Sequence, residues 1–152
     1  MTHAIERAQP GDIDALVAFN VAMARETEDK PLDTSRLRRG IAYALEHPAE
    51  AIYLVARSEH DLIGALMITF EWSDWRSGRF WWIQSVYVRP EWRRQGVYRD
   101  LHAAARSMAL EDPQSCGIRL YVEQENTIAQ RTYLDLGMVE THYRLFEEEF
   151  GR

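Results

Sequence analysis

Between Phe80 and Met108 the apolar residues change their spacing, and no other feature of the chain constrains its fold as tightly. Phe80-Trp81-Trp82-Ile83-Gln84-Ser85-Val86-Tyr87-Val88 is an aromatic and β-branched run with the composition of a strand. Arg89-Pro90 halts it, because proline cannot donate to a sheet ladder. From Gly96 the period becomes helical: Val97, Leu101, Ala104-Ala105 and Met108 recur at intervals of three and four up to Glu111-Asp112-Pro113. The chain therefore contains a strand that runs into a helix through a turn bearing two arginines and a glycine.

The rest of the sequence surrounds that unit with alternating elements. Ile5 to Ala8 reads as a short strand ended by Pro10-Gly11, and Asp12 is placed to cap a helix carrying Ile13, Leu16, Val17 and Phe19. That helix fades near Glu26-Thr27-Glu28-Asp29, and a second runs from Asp33 or Thr34 to the break at His47-Pro48. Ala51–Ala56 and Leu62–Trp72 read as a hairpin, and Arg76-Ser77-Gly78 marks the turn before the strong strand. Beyond the long helix, Ile118–Val122 predicts a strand, Asn126–Leu136 a helix ended by Gly137, and Met138–Phe146 a last strand. The order β-α-α-β-β-β-α-β-α-β describes a mixed α/β fold with about four helices around one sheet. At 152 residues and 46% hydrophobic, it is expected to form one domain over residues 1–152.

Several functional classes fit poorly. A net charge of −6 argues against a nucleic-acid binder that neutralises phosphates, although Arg89, Arg93, Arg94 and Arg99 with Trp92 and Tyr98 are the residues such a binder would use. No apolar stretch approaches the roughly 20 residues of a membrane span, and the first residues lack the apolar core of a signal peptide, so a soluble, cytoplasmic protein is expected. The lone Cys116 has no neighbouring positive charge to activate it, and the five histidines lack close ligand spacing, so neither a nucleophilic thiol nor a metal is expected.

The turn Arg93-Arg94-Gln95-Gly96-Val97-Tyr98 is where chemistry enters. A helix N-terminus presents unpaired N–H groups and a partial positive charge, which seat an anion. Glycine allows close backbone approach there, and two arginines add charge. No Gly-Lys-Ser/Thr follows and the three-glycine dinucleotide spacing is missing, so nucleoside triphosphates and NAD fit poorly. An ordinary solvated helix cap is the plain alternative for this turn taken singly.

Two blocks together resemble the GNAT superfamily of N-acetyltransferases. The first is Arg93-Arg94-Gln95-Gly96-Val97-Tyr98, similar to the family's Arg/Gln-x-x-Gly-x-Gly/Ala except for Tyr98 at the last, normally small, place. The second is Asn126, Ala129, Tyr133 and Gly137, similar to the Asn, Ala, Tyr, Gly block that follows it. More narrowly, Phe70 to Gly96 resembles the diamine and thialysine acetyltransferase branch, which implies a homodimer. The resemblance implies a mostly antiparallel sheet with a splayed central strand pair, and acetyl-CoA as co-substrate. It further implies that the diphosphate sits on the 93–98 backbone, that the main chain of Val86 and Val88 pairs with the pantetheine arm, and that Asn126 and Tyr133 address the cofactor.

The reaction so implied is direct attack of a primary amine on the thioester, with Tyr133 protonating the departing thiolate. Where many relatives carry a glutamate base on the central strand this chain has Gln84, which accepts no proton at neutral pH. Glu71 and Asp74, on the preceding strand and turn, are then the acidic candidates for the base, acting directly or through water. Trp75 and Trp82, among the tryptophans of that hairpin, suit an ammonium or its alkyl stem, and Glu26 and Glu28 fall where the family builds its acceptor wall. A small molecule such as a polyamine or amino acid is the expected acceptor. A protein lysine or N-terminal amine, and a non-catalytic acyl-CoA-binding domain, remain as alternatives.

Overall fold

The computed structural model describes residues 2–152. The chain divides into two compact units, Met1–Tyr121 and Val122–Arg152. The first holds a single five-stranded sheet and three helices. Its strands, β1 (Ala4–Arg7), β2 (Ala51–Ser58), β3 (Asp61–Ser73), β4 (Gly78–Val88) and β5 (Ser115–Arg119), lie in chain order across the sheet. The first three pairings are antiparallel and β4 with β5 is parallel. The pairs β2–β3 and β3–β4 are joined by the short turns predicted and β1–β2 through a helical segment, whereas the parallel pair requires a crossover, supplied by α3 (Val97–Glu111).

Each face of the sheet is covered by helix. One face packs Leu54, Leu66, Ile68, Trp81 and Ile83 beneath Val97, Leu101 and Ala105 of α3. The other packs Tyr53, Val55, Ala65 and Tyr87 beneath Leu16 and Phe19 of α1 (Ile13–Glu28) and Ile41 and Ala44 of α2 (Thr34–Glu46). The Asp33 carboxylate caps α2, accepting from the Ser35 and Arg36 N–H groups. Asp12 does not cap α1 with its side chain as its position suggested. It is buried, closes a 3-10 turn by accepting from the Gln9 N–H at 2.8 Å, and pairs with Arg57 Nη2 at 2.9 Å. A carboxylate opposite a guanidinium gains more than one exposed on a helix end.

A bulge in β4 breaks its alternation. Ala65 pairs with Tyr87 and Met67 with Gln84, so Ser85 and Val86 together face Leu66 alone. Ser85 takes φ 52°, left-handed for a non-glycine residue. Before the bulge Trp81 and Ile83 face α3; after it Val86 and Val88 do, while Tyr87 joins the α1 face. Ser85→Ile is expected to cost about 1–2 kcal/mol in urea unfolding, since a β-branched side chain resists this conformation.

His102, on α3, is buried and accepts or donates a 3.2 Å hydrogen bond with the Tyr98 hydroxyl. Burial first, and Arg106 second, lower its pKa below the ordinary 6.5. The unfolded chain therefore takes up this proton at higher pH than the folded one. The contribution to stability is present above pH of about 6.5 and is lost as the pH falls through the folded value. A His102→Gln variant should show a flatter decline of Tm between about pH 7 and 5.

The second unit contains α4 (Thr127–Asp135), ended by Gly137 at φ 92°. The strand expected over Met138–Phe146 is not formed: no residue from 138 to 152 lies in a helix or strand. The alternating pattern is present, but a strand forms only where its backbone is laddered to another. The fifth strand also begins earlier than the expected Ile118, because Arg79 N–H already reaches the Gln114 carbonyl at 2.8 Å. The sheet's topology is the expected mixed and mostly antiparallel one.

Candidate active site

The strands β4 and β5 part company halfway along. Their pairs run from Arg79 with Ser115 to Trp82 with Arg119, and among the described residues none pairs with β4 on that side beyond Trp82. The main chain from Gln84 to Val88 thus has no strand partner on that side and could receive an extended ligand, with the Val88 carbonyl already accepting from Arg93 Nε. The divergence begins beside the Ser85–Val86 bulge, which turns the two valines toward the α3 side.

The same strand leads straight to a helix end. After a 3-10 turn at Pro90–Trp92, Arg94 takes φ 64° and Gly96 φ 83°, and α3 starts at Val97 with no side-chain cap on its N-terminus. A Cβ at Gly96 would meet no heavy atom within 4 Å, so the space beside Gly96 is open. The need for glycine there is conformational, and what it leaves is room for an anion. Arg94, Gln95 and Gly96 are exposed. Gln95 donates to the Glu91 carbonyl, and the Tyr98 ring packs beside the core below.

Arg93 is directed elsewhere. Its Nε donates to the Val88 carbonyl at 2.8 Å, and its Nη2 pairs with Glu26 at 2.9 Å. The guanidinium carbon stands 5.5 Å from the Tyr87 ring, whose hydroxyl lies 3.4 Å from Glu26. Glu26 thus joins the end of α1 to the turn, across 67 residues of sequence. Glu28 is exposed at the end of the same helix.

The acceptor-side candidates form a second group, on the strand face shared by Thr69, Glu71, Trp82 and Gln84. Gln84 donates to the Thr69 hydroxyl. Glu71 Oε1 accepts from Trp82 Nε1 at 3.2 Å and from Arg119 Nη1 at 2.7 Å. Arg119 also lies 3.7 Å above the Phe80 ring, and the Tyr121 ring is 5.9 Å from Trp82. Sequence reasoning missed Arg119, Phe80 and Tyr121, although the register of β5 against β4 would have placed Arg119 beside Trp82. Asp74 and Trp75 lie on the hairpin turn, where Asp74 holds the Trp75 N–H and the Trp75 side chain is 88% exposed.

In the second unit, Asn126 caps α4 by accepting from the Ala129 N–H at 3.1 Å. Tyr133 lies within that helix, and burial raises its phenol pKa above 10. Among the described residues no helix is long and apolar enough to cross a membrane.

Known proteins can now be set beside this geometry. Residues 14–138 match the model of the Acetyltransferase (GNAT) family. The chain is similar to a possible acetyltransferase from Clostridium difficile 630, with 38% identity, full coverage of both chains and a TM-score of 0.90. It shares its fold with a predicted acetyltransferase from Clostridium acetobutylicum solved with acetyl-CoA, at 19% identity, 97% and 96% coverage and a TM-score of 0.81. It likewise shares it with AAC(6')-Iy in complex with a bisubstrate analogue of CoA and acetylneamine, at 18% identity, 99% coverage of each chain and a TM-score of 0.78. No curated protein sequence matches the chain. With a split β4–β5 pair, an open glycine-started α3 and a family match over most of its length, the chain belongs to the GNAT acetyltransferase family.

Proposed function

We propose that this acetyltransferase moves the acetyl group of acetyl-CoA to the primary amine of a small molecule by direct attack. The observation that carries the reading is the continuous path from the unpaired edge at Gln84–Val88 to the uncapped N-terminus of α3. An extended amide-bearing arm fits the first and a diphosphate the second. Acetyl-CoA supplies the thioester, and the amide groups of Val86 and Val88 and of residues 94–98 hold it. The bisubstrate analogue in the AAC(6')-Iy complex, CoA-S-monomethyl-acetylneamine, supports a small amine as acceptor.

The chain's own residues have four tasks: holding the reactants together, polarising the carbonyl, relieving the amine of a proton and returning one to sulfur. The N–H of Val86 or Val88 is proposed for the carbonyl, and Tyr133 for the proton given to the thiolate. A phenol kept neutral by burial is in the right state to donate. Gln84, tied to Thr69, is proposed to orient water rather than take the proton itself. Glu71 is the proposed acceptor of that proton through water, with Asp74, Trp75, Trp82, Glu26 and Glu28 around the incoming amine.

The pairing of Glu71 with Arg119 makes the acceptor wall less anionic than the sequence suggested. An acceptor that carries a carboxylate beside its amine can face Arg119 as well as Glu71, so amino-acid-like amines belong in the test beside polyamines. Thiol release from acetyl-CoA should saturate with at least one member of such a panel. Saturable CoA binding with no release on any amine would instead indicate an acyl-CoA-binding domain without turnover.

A further inference from the structure

Arg93 occupies a group that the proposed cofactor path needs. Gly64 on β3 stands opposite Val88, and the neighbouring Arg89 N–H donates to the Ile63 carbonyl at 2.9 Å. Peptide groups alternate sides along an antiparallel strand, so the N–H and C=O of Val88 turn away from β3, toward the side where β4 has lost β5. The Val88 carbonyl is therefore an acceptor on the edge assigned to the pantetheine arm. Arg93 Nε already donates to it at 2.8 Å.

The guanidinium is held there from its other end. Its Nη2 pairs with Glu26 Oε2 at 2.9 Å, and the Tyr87 hydroxyl donates to Glu26 Oε1 at 3.4 Å. The Tyr87 ring, 5.5 Å from the guanidinium carbon, is buried and packs on Phe19 with ring centroids 5.1 Å apart. That platform is fixed by the core, but the ion pair is not: the Arg93 and Glu26 side chains are 44% and 42% exposed. A pair so open to water is weak. A diphosphate seated at Gly96, three residues further along the chain, is a stronger partner for a guanidinium than one exposed carboxylate.

We propose that Arg93 is the residue by which this chain selects coenzyme A over pantetheine thioesters that lack a diphosphate. Its Nε stands in for a ligand amide N–H on the Val88 carbonyl. A bare pantetheine arm must displace that bond and gives the guanidinium nothing in return. The whole cofactor displaces the same bond but brings the anion to which the guanidinium turns. Glu26 is the anchor that keeps Arg93 on the carbonyl while the site is empty. The inference rests on the acetyl-CoA reading of this path given above.

Ligand-observed NMR titration of the native chain and of Arg93→Met, with S-acetylpantetheine and with coenzyme A, tests it. Methionine keeps an unbranched apolar stem and removes both the donors and the charge. Acetylpantetheine should bind Arg93→Met about tenfold more tightly, the size of a lost hydrogen bond from a charged group, while coenzyme A should bind no more tightly than to the native chain. Glu26→Gln removes the anchor and keeps the guanidinium's charge. It should strengthen acetylpantetheine about threefold without weakening coenzyme A. Circular dichroism checks that both variants fold. If Arg93 only braced the turn, Arg93→Met would weaken both ligands, and if it only touched the diphosphate, coenzyme A alone would suffer. Either result overturns the proposal. Native binding of coenzyme A with no gain for acetylpantetheine in the variant removes this inference alone, whereas no saturable binding of coenzyme A by the native chain removes the acetyl-CoA reading and the inference with it.

Discussion

A Gly96→Asp variant is expected to fold and to lose at least about 100-fold in affinity for coenzyme A, equivalent to roughly 3 kcal/mol. Gly96 holds φ 83° at the position just before α3, and a Cβ there would meet nothing within 4 Å. Aspartate tolerates left-handed backbone better than most residues, so the fold should bear the change at a cost of about 1 kcal/mol. The new carboxylate would occupy the anion seat and repel a diphosphate through the same N–H groups that should bind it. Gly96→Asn supplies the control, having the same shape without the charge. It should weaken binding far less, and equal losses in the two variants would assign the effect to shape or strain instead.

Tyr133→Phe should reduce kcat about 100-fold while leaving the dissociation constant for acetyl-CoA within about threefold of the native value. The ring and its packing survive this change; only the hydroxyl goes. Because burial raises the phenol pKa above 10, the group remains protonated through the neutral range and should set no alkaline limb there. The sign is that of an acid stabilised in its neutral form, with its proton lost only as the pH rises through the raised value. Single-turnover rates and equilibrium binding separate the two quantities. Native turnover in the variant would remove Tyr133 from the role of acid, and a matched fall in affinity and rate would make it a binding residue.

Much of this was legible in local sequence. The change of period at Pro90 located β4 and α3, and Gly96 marked the helix start because its neighbours supplied no other residue suited to φ 83°. The helix caps at Asp33 and Asn126 follow from side chains that reach only two or three residues along the chain. The bulge at Ser85 was not legible: a continuous apolar run shows no alternation to interrupt, and serine carries no left-handed signature. Nor were the pairs Arg93–Glu26 and Arg119–Glu71, whose members stand 67 and 48 residues apart. They arise from strand register and helix packing, and they redirect two residues that local reasoning would have left to face ligands. The strand expected over Met138–Phe146 is not formed, because alternation of apolar residues records which faces a strand would present and not whether a ladder partner is met.

Calorimetric titration with coenzyme A and, separately, with S-acetylpantetheine tests the central claim most directly, since the second ligand keeps the pantetheine arm and lacks the diphosphate. Saturable binding of coenzyme A below millimolar concentration, with acetylpantetheine at least about 100-fold weaker, is the predicted result. Equal affinities, or no heat from coenzyme A up to millimolar amounts, would contradict the assignment of the Gly96 helix end as the diphosphate seat.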